Sequence, residues 1–235
     1  MSFADNERSE KAVREAVGKL VDLQEYIEQA GASHKFLFNP IYAGDVSAEN
    51  PVGKIYRDGA RMFVHGDVAK VLVEMGKILA DDEQIEVLEA LRTAEIHAEL
   101  TKTSEEEEWD KNLVPDQGKS AHTSGGMAVD IAIVKNEVRV DYGVKYNDNS
   151  SKELYRDYTL HEITISKEAF ANREFLDDLI DRGAEAAGVE IQKHPHEIFQ
   201  FNLPPHEYLN APVLHEEDLP EKMRLASSPE HKLGL

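Results

Sequence analysis

The sequence contains no cysteine. That absence excludes a disulfide framework, a thiolate nucleophile and a thiolate metal site. Cations are scarce as well: 26 Lys and Arg stand against 46 Asp and Glu, for a formal net charge of −20. A phosphate backbone is gripped by clustered Lys and Arg, so nucleic acid is not an expected partner. No apolar run approaches the roughly 20 residues that span a bilayer, and no membrane partner is expected either. The opening residues MSFADNERSEK lack the apolar stretch of a signal peptide and read as the approach to a helix, so the expected location is the cytoplasm.

What is present suits one domain over 1–235, with 41% hydrophobic and 31% charged residues. The acidic excess reads as a matter of solubility before function. An N-terminal helical segment is expected over 1–31, its helix spanning 9–30 with Val13, Val17, Leu20 and Ile27 at helical spacing and Gly31 as the stop. A second helix follows Asp67 as N-cap and carries Val68, Leu72, Met75 and Leu79. A third begins near Thr93 and dissolves into the acidic run 105–108. A fourth starts at Asn172, turns Phe175, Leu179, Ile180 and Ala187 inward, and ends at Gly188. Strands are expected over 85–88, over 127–134 and 137–144 as a hairpin turning at Lys135-Asn136, and within 190–202. From 203 to 235 the chain reads as an irregular tail. Strands and helices do not alternate regularly, which favours an α+β fold: a central antiparallel sheet flanked by helices.

The segment 120–130, SAHTSGGMAVD, is the richest in chemistry. A histidine leaving a glycine-rich turn and an aspartate entering an apolar strand bring an imidazole and a carboxylate together, a workable pair of zinc ligands. Taken alone, a loop histidine and a turn-capping aspartate account for it equally well. The segment His196-Glu-Ile-Phe-Gln200 resembles H-E-x-x-H with its last histidine replaced. That motif needs a helix, whereas Pro195, Pro204 and Pro205 bracket a strand-forming stretch here. Glu197 remains a candidate general base beside a metal, or a strand-end carboxylate. Arg92, between a strand and a helix, is placed to stabilise an oxyanion or to pair with a surface acid.

In order and separation these pieces resemble the D-alanyl-D-alanine dipeptidase branch of the zinc DD-peptidases, over about 38–202. IEVLEALRT at 85–93 resembles the family's strand and D-x-Y-R-P, with Arg92 on the transition-state arginine. SAHTSGGMAVD resembles S-x-H-x-x-G-x-A-x-D, which implies His122 and Asp130 as zinc ligands and Ser120 on the substrate side. The segment 141–147, DYGVKYN, is similar to D-M-G-T-x-F-D; Asn147 falls on the aspartate that holds the substrate amine, with Asp148 adjacent. The segment 172–176, NREFL, with Gly188 is similar to the family's N-R-x-L-L helix. EIFQFN at 197–202 resembles E-W-W-H-F-N, putting Glu197 on the general base and Gln200 on the third zinc ligand.

The resemblance implies a DD-peptidase (hedgehog-like) fold, a zinc cofactor and a small dipeptide such as D-Ala-D-Ala as substrate. Glu197 would serve as base and Arg92 as oxyanion stabiliser. The chain departs from the pattern at the metal. An amide oxygen at Gln200 is a weaker donor than imidazole. The His122–Asp130 spacing is one residue longer than the motif, with Met127 as the extra residue, so a bulge is expected to reset the strand. His194, His196 and His206 are alternative third donors; in an extended strand His196 stands roughly 13 Å from Gln200. Two functions therefore stand side by side: an active dipeptidase, or a silent relative that binds a small ligand or protein partner through the old cleft.

Overall fold

The axis of the fold is β5 (Ala128–Lys135), and its sequence AVDIAIVK explains why. Period-two alternation sends Val129, Ile131 and Ile133 to one face and Ala128, Asp130, Ala132 and Val134 to the other. In the computed structural model, which describes residues 9–47, 49–50, 52–106, 120–146, 165–195 and 197–226, β5 is flanked by β4 (Glu83–Glu89) and β8 (Gln200–Asn202), both antiparallel to it. β2 (Phe36–Phe38) lies parallel to β4, and β7 (Gln192–Lys193) pairs antiparallel beyond β8. β6 (Val138–Arg139) turns back onto the end of β5 through Asn136 and Glu137, both at positive φ. The fold is α+β with one parallel pair, β2–β4, at the edge of an otherwise antiparallel sheet.

The β-branched face carries Phe36, Ile85 and Ile133 in one row and Val129 with Phe201 in another, all buried. Helices α3 (Gly66–Ile78) and α5 (Lys167–Ala187) form the layer on this side, and α4 (Ala94–Glu106) follows β4 where a helix was expected near Thr93. Gly76 of α3 admits the ring of Phe36 against the helix backbone, and a Cβ at Gly183 of α5 would come within 3.1 Å of the Val71 carbonyl. Both glycines are there for close approach. Among the described residues, no helix is long and apolar enough to cross a membrane.

Several local expectations need correction. The N-terminal helix over 9–30 is two helices, α1 (Glu10–Gly18) and α2 (Leu23–Gln29), separated by β1 (Leu20–Asp22). Gly18 weakens the first helix at its end, and Asp22 caps the second by accepting from the Glu25 amide at 3.2 Å. β1 pairs with β3 (Phe63–His65), a strand that alternation alone did not reveal. His65, not Asp67, caps α3, and Ser166, not Asn172, caps α5. Asn172 lies inside α5 and ties it to the Asp141 carbonyl at 2.7 Å. The extra residue between His122 and Asp130 makes no bulge in β5; it is absorbed in the turn, where Gly125 and Gly126 take φ of 77° and 63°. The tail is folded: α6 (Pro205–Tyr208) opens it, and Leu214, Leu219 and Leu225 are buried.

A bulge does occur, in β4. Val87 pairs with Ile131 and Glu89 with Asp130, so Leu88 is an additional residue. Without it Glu86 and Glu89 would point to opposite faces; with it both join Asp130 on the face opposite the Phe36–Ile85–Ile133 row. Glu86 there accepts from Arg139 at 2.7 Å and from Asn39 at 2.8 Å, while Arg139 also reaches Glu49 at 2.8 Å. Burial pushes the Glu86 carboxyl up, but the bonds from Arg139 and Asn39 outweigh it and hold the group below its ordinary value. A carboxyl lowered by folding contributes stability above its unfolded pKa and loses that stability as pH falls through its folded one. Arg139→Met is expected to cost about 1.5–3 kcal/mol near neutral pH. Urea titrations across pH should show the gap to the parent protein closing as Glu86 is protonated; a gap independent of pH would refute the assignment.

Candidate metal centre

Across β4, β5 and β8, Glu89 stands opposite Asp130, and Asp130 opposite Gln200. Directly opposed residues share a face, so one row of side chains holds two carboxylates and an amide. His122 joins them from the turn 120–126, which is braced by its own backbone: Ser124 N bonds to Ser120 O at 2.9 Å and Met127 N to Ala121 O at 2.8 Å. One ligand atom from each of Glu89, His122 and Asp130 lies within 4.8 Å of the others. All three residues are 1–2% exposed.

The imidazole of His122 is oriented by its backbone contact. Nδ1 lies 2.7 Å from the Ala90 carbonyl oxygen, which only accepts, so Nδ1 carries the proton and donates. Nε2 is left with a lone pair directed at Asp130 Oδ1, 3.2 Å away. Neither atom has a hydrogen-bond partner, although both are buried. A proton on Nε2, which the Asp130 carboxylate favours, or a cation would each satisfy the pair, and an orphaned Nε2 and carboxylate oxygen are a donor set that could hold a divalent metal such as zinc. A carbonyl behind the distal nitrogen is the usual support of a metal-binding histidine.

The charges reinforce one another. Burial opposes ionisation of both groups, yet the Asp130 carboxylate raises His122 above its ordinary pKa. His122 in turn lowers Asp130, helped by the Tyr146 hydroxyl, which donates to Oδ2 at 2.6 Å. Burial holds that hydroxyl well above the ordinary tyrosine value, so it remains a donor. The Tyr146 ring is set edge-on against Phe199, with centroids 5.5 Å apart. Tyr146 also lines a cavity of about 430 Å³ with Glu86, Arg139 and Tyr142, which puts this cavity one side chain from Asp130.

Arg92 is buried beside this centre. Its Nε and Nη2 donate to the two oxygens of Glu89 at 2.7 and 2.5 Å, and Nη1 contacts His97 Nδ1 at 3.2 Å. An arginine donates only, so His97 accepts through Nδ1. This forked pair fixes the plane of the guanidinium. The C-terminal tail clamps the elements: Leu214 N bonds to Thr123 O and Ala94 N to Leu214 O, both at 2.9 Å, and Thr93 donates to Glu216 at 2.7 Å.

Of the residues singled out by sequence, His122, Asp130 and Arg92 meet here. Gln200 lies in the same row, with its Nε2 donating to Asn202 Oδ1 at 2.6 Å. Glu197 is buried in the segment entering β8, and its charge acts on Tyr146. Ser120 spends its hydroxyl on the Thr123 amide at 3.3 Å. Asn147, Asp148 and His196 lie outside the described residues. His194 and His206 are not in the converging group, and His206 is exposed. Glu89, Tyr146 and His97 were missed. Glu89 stands three residues before Arg92 in IEVLEALRT, but only the Leu88 bulge turns it to the site, and no sequence signal announces that bulge.

Removing one partner of a buried ion pair leaves an uncompensated charge. Glu89→Ala is therefore expected to destabilise the protein by about 3–5 kcal/mol. The double variant Glu89→Met with Arg92→Met should recover most of that loss. Additive losses in a denaturation cycle would show that the two groups are not a pair.

No family model matches the chain, and no curated protein matches it. Among solved structures, an L-Ala D-Glu endopeptidase of Serratia marcescens is similar at 17% identity and a TM-score of 0.39, over 62% of this chain and 84% of that one.

Proposed function

We propose that the chain is a metal-dependent peptidase of the zinc DD-peptidase type, acting on a small dipeptide such as D-Ala-D-Ala. The observation that carries this reading is the pair of buried, unpartnered ligand atoms, His122 Nε2 and Asp130 Oδ1, 3.2 Å apart beside an immobilised arginine. Zinc bound there would supply Lewis acidity toward a carbonyl and acidify water.

The remaining chemistry belongs to the chain. Glu197 takes a proton from the attacking water and returns it to the leaving amine. Arg92, already oriented by Glu89 and His97, stabilises negative charge developing on the scissile carbonyl oxygen. Tyr146 holds Asp130 in one rotamer. The cavity bounded by Tyr146, Glu86 and Arg139 offers room for a small ligand; the resemblance in sequence would give Ser120, Asn147 and Asp148 the substrate contacts.

A second reading is favoured by one feature of the same geometry. Glu89, the third member of the converging group, has both carboxylate oxygens bonded to Arg92, and Gln200 offers only a neutral amide oxygen, its Nε2 donating to Asn202. A short donor set suits a silent relative that binds a small ligand or a protein partner in the same cleft.

Metal analysis separates the two. Protein purified without chelator should carry about one zinc per chain; a metal-free protein that refuses added zinc sinks the peptidase reading. Gln200→His is expected to raise zinc affinity about 10–100-fold, the scale on which supporting residues tune such sites. In a dipeptide panel with amine detection, Glu197→Ala should lower kcat by about 10²–10⁴ while the zinc content stays unchanged. Undiminished turnover in that variant would remove Glu197 from the role.

A further inference from the structure

Past the start of β8, the segment 142–146 takes over the edge of β5. The last bond between the two strands runs from Ile131 N to Phe199 O at 2.9 Å, and the next amide on that edge, Ile133 N, donates to the Tyr142 hydroxyl at 2.9 Å. Four residues on, the Tyr146 hydroxyl donates to Asp130 Oδ2 at 2.6 Å. Phe199 lies edge-on to both rings, with centroids 5.2 Å from Tyr142 and 5.5 Å from Tyr146. Tyr146 is 1% exposed, so ring packing and a hydrogen bond together fix its hydroxyl on one oxygen of the carboxylate.

A carboxylate can grip a cation through one oxygen or through both. In Asp130 the two oxygens are already unlike. Oδ2 accepts from Tyr146, whereas Oδ1 faces His122 Nε2 at 3.2 Å and has no hydrogen-bond partner. Turning Oδ2 to an ion as well would break a short, charge-assisted bond and strand a buried hydroxyl.

The number of donors gives this a consequence. Zinc is commonly four-coordinate, and a catalytic site leaves one of its positions to water or substrate. His122 Nε2, both oxygens of Asp130 and one further donor would fill every position; with Oδ1 alone, one stays open. We propose that Tyr146 is a positioning residue that confines Asp130 to metal binding through Oδ1, and so keeps a coordination position free for the attacking water or the substrate. This rests on the metal-dependent peptidase reading and adds to it a residue that acts through Asp130.

The test is Tyr146→Phe, which keeps the ring against Phe199 and removes only the hydroxyl. With saturating cobalt(II) in place of zinc, visible absorption reports the set of donors, and titration with azide reports the open position. Azide should change the cobalt bands of the wild-type protein. The variant should show altered bands before azide is added, and an azide affinity lowered about 10–100-fold, the scale on which residues behind a ligand tune a metal site. Equal bands and equal azide affinity overturn the assignment and leave the metal centre standing. A variant that folds but takes up no cobalt overturns it too, because Tyr146 then holds Asp130 in place without setting how it binds. So does a wild type whose bands azide leaves unchanged, since no position is then open. A crystal structure of the zinc-loaded wild type decides the matter even if the variant fails to fold. Asp130 on the ion through Oδ1, with Tyr146 still on Oδ2, is expected; both oxygens on the ion overturn the assignment. A wild-type protein that refuses zinc and cobalt alike defeats the metal-dependent reading, and this assignment with it.

Discussion

Buried negative charge is the constraint around which the centre is organised. Glu89 and Asp130 are withdrawn from water, and Arg92 is the buried guanidinium paired with Glu89. Glu89 takes up Arg92 through a two-pronged ion pair, which makes that pair close to neutral as a unit. Asp130 is left with the Tyr146 hydroxyl and an imidazole whose proton faces the other way. Isolated carboxylates are costly to bury, and a proton on His122 or a bound cation would each offset that cost. The unpartnered Nε2 and Oδ1 are the atoms that could hold such a cation.

The fold delivers these groups by small departures from regularity. β4 carries an additional residue at Leu88, and this alone brings Glu89 into line with Asp130 and Gln200. The turn before β5 carries an additional residue among glycines, which sets His122 over the Ala90 carbonyl. Both irregularities sit at strand ends and serve the face that carries Asp130, while the opposite face packs toward α3 and α5. The tail then fastens the pieces. Leu214 spans Thr123 and Ala94, and Ala226 and Leu225 hold the loop that carries Tyr56.

The legibility of the sequence follows the same division. Where one periodicity ran long enough, the elements could be read: β5 and α3 stand close to their expected places, and α5 ends at the expected Gly188 though it starts earlier, at Lys167. Three-residue strands such as β1, β2 and β3 carry too little pattern to announce themselves, and β1 was absorbed into a helix that Asp22 in fact restarts. At the site, His122, Asp130 and Arg92 were visible as residue types in a loose motif. Glu89 was not, because its direction depends on a bulge, and Tyr146 was not, because nothing in its neighbours announces that its hydroxyl reaches Asp130. What the one-dimensional pattern lacks is any record of which hydroxyl or lone pair lacks a partner.

Gln200 takes on a different meaning once the charges are counted in space. A divalent cation beside His122 would meet one uncommitted carboxylate, Asp130, with Glu89 and Arg92 cancelling each other. A histidine at position 200 would leave that charge balance untouched, because imidazole and amide are both neutral donors. The glutamine would therefore alter how strongly the site holds an ion without altering its charge. Glu89 illustrates the opposite solution, a strong donor whose charge is already spent on the arginine. Between them, the row of Glu89, Asp130 and Gln200 keeps a single carboxylate available to a metal, and the orientation of Arg92 is what the other carboxylate secures.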